Sequence, residues 1–322
     1  MMLSEDLILG IDGGGTSTAC LLTDKHGHAL AQVEAPASNF RKVGLQETHL
    51  ALLTGIKAVA REAGIEPFQP MCLAAVCAGL AGVDTPADEL TLRQMLSKMV
   101  SSDHLQVIND GEIALAGALQ DQPGVLVISG TGSIAWAASV SGHRVRVGGW
   151  DYLLGDEGSG YEIGSQVLRA VAAAHDGRTA PTILTEGVFK AFNVSDFASF
   201  LKAIYGEGTT PTVVAKLAQL ADAAASAGDQ AAIRILREAA QELALIARAA
   251  ARLSDLEAGP FPVVALGGVL VGSAYYAQCF RQAMVEISSN AFFVHPKKMP
   301  VEGAILLALR SLATSRKDPC PN

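Results

Sequence analysis

The chain has 322 residues, half of them hydrophobic and 17% charged, and its formal net charge is −8. This length favours two domains, and the apolar fraction predicts a large buried core, which excludes an intrinsically disordered chain. Lys and Arg are scattered along the sequence. Nucleic-acid binding needs clustered basic side chains, so we expect no nucleic-acid partner.

The sequence also bears on the cellular compartment. Residues 1–6 carry two acidic side chains and no basic segment, unlike a signal peptide. The most apolar strand-like run, 263–271, is far shorter than the ~20 residues of a bilayer-spanning helix. The five cysteines form no C-x-x-C pair, which favours reduced, mostly buried thiols. We therefore expect a cytoplasmic protein with no membrane partner.

Three short strands joined by turns open the chain and predict an antiparallel meander. Helices and buried strands then alternate, which indicates a mixed sheet with helices on its faces. The predicted strands of this part are 7–12, 18–24, 29–34, 71–77 and 105–108, and its predicted helices are 45–63, 87–100 and 112–119.

The order of strand, glycine turn, strand, turn and strand restarts near residue 125, which suggests a second, related domain. The predicted strands there are 125–128, 134–140, 145–148, 261–266 and 291–294. The predicted helices are 162–174, 184–192, 196–204, 212–226, 230–256, 274–287 and 301–312.

No low-complexity linker separates the two halves, so we expect closely packed domains with a cleft between them. We place an N-terminal domain at 1–120 and a C-terminal domain with a helical insertion at 121–322. A final helix at about 300–315 is expected to pack back on the first domain. The tail, 316–322, is predicted to be disordered.

The first glycine turn, Asp-Gly-Gly-Gly-Thr at 12–16, belongs to neither of two common phosphate-binding types. A Walker A loop requires a Lys before the Ser or Thr, and no Lys follows Gly15. A dinucleotide-binding turn requires a third glycine and then a helix, but residue 18 is Thr18 and the next segment is strand-like. A strand–glycine–strand hairpin remains.

Such a hairpin is suited to phosphate. The backbone N–H groups of Gly13, Gly14 and Gly15 can approach phosphate oxygens without obstruction by Cβ atoms. Thr16 adds a hydroxyl donor, and Asp12 at the strand end can hold a hydrated Mg²⁺ beside the phosphates. The plain alternative is an ordinary tight hairpin.

A second turn, Ser-Gly-Thr-Gly-Ser at 129–133, has the same chemistry. Thr131, Gly132 and Ser133 offer hydroxyls and a flexible backbone, although the turn alone could be purely structural. One such hairpin opens each half of the chain, so the pair could clamp a triphosphate from opposite sides.

Asp110 follows a buried strand and precedes a helix. It could simply cap that helix. It could also be a carboxylate at the carboxyl edge of a sheet, where open α/β sheets bind ligands and where a kinase base would accept a hydroxyl proton. The two interpretations are compatible.

Residues 148–159 combine glycines, an aromatic and carboxylates. Ser159 and Glu162 fit a capping box, but this does not account for Trp150 or Asp156. An aromatic beside carboxylates suits a sugar, and a structural turn is the alternative. Further along, Gly267 and Gly268 follow an apolar strand and either admit a flat ring close to the backbone or form a simple strand-to-helix turn.

Together these motifs resemble the N-acetylglucosamine and glucosamine kinase group of the BadF/BadG/BcrA/BcrD-type ATPases, within the actin-like ATPase superfamily. The motifs run in order along most of the chain: Ile-Asp-Gly-Gly-Gly-Thr at 11–16, Asn-Asp at 109–110, Ser-Gly-Thr-Gly-Ser at 129–133, Gly-Gly-Trp at 148–150, Gly-Asp-Glu-Gly-Ser at 155–159 and Leu-Gly-Gly-Val at 266–269.

The resemblance implies an α/β fold with two ribonuclease-H-like domains around a hinged cleft, ATP and an amino sugar as substrates, Mg²⁺ held by Asp12 through water, and a homodimer. Adenosine would lie near Gly267 and Gly268, and Asp110 would be the base for transfer to the sugar 6-hydroxyl. The implied sugar-binding residues are Asn39, Asp110, Trp150 and Asp156.

The sequence fits other functions on this fold less well. Activator ATPases of radical dehydratases bind an iron–sulfur cluster, but no cysteine here lies in a comparable glycine-rich loop. The repressor and kinase group with a zinc loop carries a Glu-x-Gly-His motif, which is missing. A non-catalytic ATP or sugar sensor would not need Asp110. Among the sugars, Asp151 or Glu157 near the 2-position would favour the ammonium of glucosamine.

Overall fold

The structure is a computed structural model and describes residues 6–66, 70–120, 122–206 and 208–315. Two five-stranded sheets with the same topology organise the protein. The chain divides into two compact units. The first contains the described residues up to Gln122 together with those from Pro296 onward, and the second is Pro123–His295. The predicted disorder of 316–322 concerns residues outside the described ranges.

The first unit begins with the predicted meander. Its elements are β1 (Leu7–Gly13), β2 (Ser17–Asp24), β3 (Ala29–Pro36), α1 (Phe40–Glu62), β4 (Met71–Cys72), β5 (Ala75–Leu80), α2 (Pro86–Leu96), β6 (Val100–Ser101), β7 (Leu105–Asn109) and α3 (Asp110–Leu119). The sheet order is β3-β2-β1-β5-β7, with β1–β3 antiparallel and β5 and β7 parallel to β1. Strands β4 and β6 form a separate parallel pair.

The second unit repeats this order before a mostly helical insertion. Its elements are β8 (Gly124–Ser129), β9 (Ser133–Ala138), β10 (Arg144–Gly148), α4 (Gly160–His175), α5 (Leu184–Ala191), α6 (Phe197–Ile204), α7 (Pro211–Ala215), α8 (Leu217–Ser226), α9 (Gln230–Leu253), a 3₁₀ turn (Leu256–Ala258), β11 (Phe261–Leu266), α10 (Gly268–Gly272), α11 (Ala274–Ile287) and β12 (Ala291–Phe293). The sheet order is β10-β9-β8-β11-β12.

The last helix, α12 (Pro300–Ser315), belongs to the first unit. Because side chains alternate along a strand, Leu9 and Ile11 of β1 pack on the α1 side of the sheet, while Ile8 faces the opposite side. There Ile8 shares a core with Ile113 of α3 and Ile305 of α12. The second unit therefore ends before this helix, whereas the predicted range 121–322 included it.

Several predicted elements differ from those observed. The apolar run 71–77 is not one strand, because its backbone changes partner: Leu73 N–H donates to Ser101 O and Ala74 N–H donates to Leu7 O. The predicted helix 87–100 ends at Leu96, since Val100 pairs with Met71 in the small sheet. The predicted helix 212–226 is split into α7 and α8. The predicted helix 230–256 is shortened to α9.

Within the described ranges, no helix combines the length and the apolar character that crossing a bilayer requires.

Candidate functional site

The first glycine turn lies at the end of the β1–β2 hairpin. The strands stay paired up to Gly13 and Thr18, and Gly14 N–H closes the turn on Ser17 O at 2.9 Å. Gly15 and Thr16 are exposed at the tip. The backbone of the tip is therefore accessible to a ligand.

The base of this hairpin is tightly packed against the segment that precedes α1. A Cβ on Gly13 would lie 2.3 Å from Ser38 Oγ, so only glycine fits there. Thr18 Oγ1 donates to Ser38 Oγ at 2.7 Å, and the N–H groups of Ser38 and Asn39 both donate to Gly14 O at 3.1 Å. These bonds place Asn39 beside the glycine turn.

Asp12 and Asp110 come together at the carboxyl edge of the first sheet. Asp12 lies next to Gly79 of β5, and the following residue of β5, Leu80, lies next to Asn109 at the end of β7. Burial, and then the like charge of Asp110, raise the pKa of Asp12 from 3.8 to about 6. Two interacting carboxylates thus lie where open α/β sheets bind their ligands.

The residue that caps α3 is Asn109 and not Asp110. The Asn109 side chain accepts a hydrogen bond from Gly111 N–H at 2.9 Å. The backbone of Asn109 is extended, as is usual for a helix N-cap. Asp110 is the first helical residue, and its Oδ1 also accepts from Gly111 N–H at 3.0 Å. The alternative in which Asp110 serves as the cap is therefore wrong.

Asn39, the predicted sugar ligand, is the N-cap of α1 and accepts from Arg41 N–H at 3.1 Å. Arg41 in turn donates from Nε to Gly82 O at 2.9 Å and pairs with Asp88 at 2.8 Å. The loop after β5 is thereby held beside Asn39. Arg41 carries no motif that would distinguish it in the sequence, because a lone Arg at a helix start is common.

In the second unit, the turn between β8 and β9 is latched by the segment that follows Trp150. Ser129 Oγ donates to Gly158 O at 2.8 Å, and Ser133 Oγ donates to Glu157 O at 2.7 Å. Backbone bonds from Gly160 N–H to Gly130 O and from Tyr161 N–H to Thr131 O add to the latch, and Ser159 caps α4.

Asp156 packs directly beneath this turn and is only 7% exposed. Its Oδ1 accepts from Ser133 N–H at 3.1 Å, and a Cβ on Gly132 would lie 2.6 Å from its Oδ2. Burial raises the pKa of Asp156, the Ser133 hydrogen bond opposes the rise, and Asp151 and Glu157 add to it. This carboxylate therefore supports the turn that Thr131, Gly132 and Ser133 form.

Buried Tyr276 completes the latch from α11. Its hydroxyl donates to Gly158 O at 2.5 Å, across 118 residues of sequence. No local pattern in the sequence could have revealed this contact, because the two partners meet only through packing.

Gly267 and Gly268 serve different purposes. Gly267 has φ +96°, and a Cβ there would lie 2.3 Å from Ser129 O. The strand-to-helix turn therefore requires glycine at position 267 whether or not a ligand binds there. A Cβ on Gly268 would meet nothing within 4 Å. Gly268 therefore borders open space at the end of β11.

The structure thus groups the predicted residues within each unit. At the edge of the first sheet lie Asp12, Gly13, Gly14, Gly15, Thr16, Asn39 and Asp110. Around the β8–β9 turn of the second unit lie Thr131, Gly132, Ser133, Asp156 and Gly267, while Trp150 is 58% exposed on the loop after β10. Among the described residues, no group of three or more His, Cys, Asp or Glu side chains could hold a metal ion.

Relatives of this chain are similar over nearly their full length. The N-acetyl-D-glucosamine kinase of Dictyostelium discoideum is 32% identical over 317 residues, covering 96% of this chain and 99% of the relative. The N-acetylmuramic acid/N-acetylglucosamine kinase of Clostridium acetobutylicum is 30% identical over 307 residues, covering 94% and 97%.

A solved structure is similar as well. The crystal structure of a candidate N-acetylglucosamine kinase from Chromobacterium violaceum superposes with a TM-score of 0.73 at 30% identity, covering 95% of this chain and all of that one. This agrees with the predicted actin-like α/β fold. Residues 9–308 match the sequence profile of one family. The chain belongs to the BadF/BadG/BcrA/BcrD ATPase family.

Proposed function

We propose that this protein is an ATP-dependent amino-sugar kinase that phosphorylates N-acetylglucosamine or glucosamine at the 6-hydroxyl. The observation that carries the proposal is the Asp12–Asp110 pair beside an accessible glycine turn at the edge of the first sheet. The near-full-length relatives that are amino-sugar kinases support the same substrate class.

The phosphates of ATP are assigned to the two glycine turns. In the first turn, exposed Gly15 and Thr16 offer backbone N–H groups and a hydroxyl. In the second, Thr131 and Ser133 offer hydroxyls on a backbone that Asp156 holds in place. The adenosine is assigned to the open space at Gly268.

The residues present fit a magnesium ion that arrives with ATP. Protein-bound Mg²⁺ keeps several waters and takes one or two carboxylates besides the phosphates, and the first unit offers Asp12, which would hold the ion through water. Bound there, Mg²⁺ would neutralise charge that builds on the phosphate oxygens. A cation beside Asp12 would also hold that carboxyl ionised, against the burial that raises its pKa.

Asp110 is assigned the role of base. Its position at the carboxyl edge allows it to accept the proton of the sugar hydroxyl as the hydroxyl oxygen forms a bond to the γ-phosphorus. The bond from that phosphorus to the bridging oxygen of ADP breaks in the same step. The proton ends on Asp110 and the electron pair on ADP, so the reaction needs no other reactant.

The sugar is assigned to Asn39, Asp110, Trp150 and Asp156. The exposed Trp150 indole offers an apolar face to a pyranose ring. Asp151 and Glu157 lie close enough to Asp156 to raise its pKa, so negative charge gathers near Trp150. This charge favours the ammonium of glucosamine as the second candidate for the substrate.

The test is a coupled ADP-release assay with Mg-ATP and glucosamine, N-acetylglucosamine, N-acetylmannosamine, N-acetylmuramic acid or glucose. We expect turnover with one or both of the first two sugars, and phosphorus NMR of the product should locate the phosphate on the 6-oxygen. A flat response across the sugars would refute the proposal. ADP release that ignores the sugar would instead favour an activator-type ATPase. Sedimentation velocity of the same sample tests the expected homodimer.

A further inference from the structure

Trp150 follows two glycines with left-handed backbone at the end of β10. Gly148 and Gly149, which precede it, have φ of +75° and +70°, and Asp151, which follows it, has φ of +69°. Glycine adopts many conformations at similar free energy, so two adjacent glycines do not by themselves fix the direction of the next side chain. An aromatic that must meet a ring in one orientation needs a further constraint.

Arg146 supplies contacts of that kind. It lies on β10, two residues before the glycines, and is half-buried. Its Nε donates to Gly148 O at 3.2 Å, and its Nη2 donates to Gly149 O. One planar guanidinium therefore bonds to the carbonyls of both glycines, which a lysine ammonium could not reproduce with the same geometry.

The same guanidinium also lies over the Trp150 ring, 4.7 Å from its centroid, within the range of a cation–π interaction. On the far side of the loop, Gly155 N–H donates to Asp151 O at 2.9 Å, and a Cβ on Gly155 would lie 3.4 Å from Trp150 Cβ. The indole is therefore held from one face and at its base, yet 58% of Trp150 stays exposed.

We propose that Arg146 is a positioning residue of the sugar site: it clamps the Gly148–Gly149 backbone and backs the Trp150 indole, so that the open face of the indole is presented to the sugar ring. This inference rests on the proposed sugar-binding role of Trp150. It assigns to Arg146 an effect on sugar binding through Trp150, with no contact to the sugar or to ATP.

The kinetic test compares Arg146→Gln with Arg146→Lys. Removing the guanidinium should raise the KM for the sugar about 5- to 20-fold, while kcat and the KM for ATP change less than about twofold, since one clamp of the indole is lost and the reacting groups are untouched. Arg146→Lys keeps the charge but not the forked bonds, so its sugar KM should lie between those of the wild type and Arg146→Gln. Arg144→Gln removes the same charge from the same strand and should leave the sugar KM unchanged.

A spectroscopic test reports on the indole itself. The chain has two tryptophans, Trp136 and Trp150, so Trp136→Phe leaves Trp150 as the only indole emitter. This variant must first retain the wild-type sugar KM, because Trp136 is the cross-strand neighbour of Arg146. In this background, Arg146→Gln should lower the fluorescence anisotropy of Trp150 and raise its quenching by acrylamide, whereas Arg144→Gln should do neither.

A double-mutant comparison connects the two readouts. In a Trp150→Ala background, Arg146→Gln should add no further increase in sugar KM, because its effect passes through the indole. An unchanged sugar KM in Arg146→Gln, or an effect that persists in full without Trp150, would overturn the proposal. Thermal unfolding of each variant separates these results from misfolding, with Arg146→Lys as the conservative substitute.

Failure of the proposed function gives a different pattern. A wild-type protein that phosphorylates none of the sugars would sink the kinase assignment by itself. The anisotropy measurement would still decide whether Arg146 holds the indole, since it needs neither ATP nor sugar.

Discussion

The two units share one sheet topology but use their glycine turns differently. In the first unit the tip of the turn is exposed, and the neighbouring strand end carries Asp12, which faces the like charge of Asp110. In the second unit the turn is latched from below by Asp156 and by the bonds of residues 157–161. The repeated fold thus carries two interacting carboxylates at the edge of one sheet and a turn held by hydrogen bonds at the edge of the other.

Asp12 and Asp156 show the difference most clearly. Burial and the charge of Asp110 destabilise the ionised form of Asp12, so its pKa rises to about 6. Asp156 is also buried, but Ser133 N–H donates to it and opposes the rise. Substitutions in the first unit should therefore change chemistry, and substitutions in the second should change binding or stability.

The largest effect is expected at Asp110. Asp110→Ala should lower kcat by about 10²–10⁴-fold, the usual contribution of a positioned acid–base group, with a modest change in ATP affinity. Asp84→Asn, a nearby carboxylate outside the assigned site, is the matched control and should retain most activity. Steady-state kinetics with Mg-ATP measure both. Near-normal turnover of Asp110→Ala would remove the contrast between the two units.

Asp156→Asn should act on the other unit and on binding. The Asn amide oxygen still accepts from Ser133 N–H but carries no charge, so the β8–β9 turn should loosen and the KM for ATP should rise by up to about tenfold, the weight of a charge-assisted over a neutral hydrogen bond. Isothermal titration with ADP checks the affinity directly. A fall in kcat as large as that of Asp110→Ala would show that both units carry the chemistry.

Asp12→Asn should have opposite effects on activity and stability. A carboxyl whose folded pKa is raised from 3.8 to about 6 destabilises the folded protein once the unfolded chain ionises, so its removal should stabilise the free protein by about 1–3 kcal/mol above pH 6. The gain should be small near pH 4, grow between pH 4 and 6, and stay constant above. Activity should fall, because Mg²⁺ loses its carboxylate.

Urea unfolding of the wild type and Asp12→Asn at pH 4, 5, 6 and 8 measures this prediction, with Mg²⁺ omitted. Asp24→Asn is a useful opposite control. The hydrogen bonds from His28 lower the pKa of half-buried Asp24 to about 2, so its loss should not stabilise the protein at any pH. A stability gain in Asp12→Asn that does not depend on pH would mean that the pKa of Asp12 is the same in the folded and unfolded protein, against the proposed effect of burial and Asp110.

The smallest effect is expected at Tyr276. Tyr276→Phe removes the hydroxyl bond to Gly158 O, but Ser129 Oγ still donates to that oxygen, so the loss of stability should be about 1 kcal/mol. Amide exchange at Gly160 and Tyr161 should become faster, because their bonds belong to the same latch. Unchanged exchange there, together with unchanged kinetics, would show that the cradle does not depend on this hydroxyl.

Much of the architecture could be read from local patterns. The meander of β1–β3, its repeat in β8–β10 and the long helix α9 follow from alternation and periodicity, which act over neighbouring residues. The glycine turns were found for the same reason, since a strand end, glycines and a hydroxyl residue are adjacent in sequence. The run 71–77 was misjudged because hydrophobicity does not reveal that the backbone changes partners at Leu73 and Ala74.

By itself, then, the sequence determined the α/β class, the two related halves and the candidate residues at their strand ends, because strand and turn preferences are local. Only the tertiary structure decided that Asn109 caps α3, that Asp12 meets Asp110 and that Asp156 lies under Gly132. The last two depend on segments far apart in the chain, and close packing and buried hydrogen bonds bring such segments together.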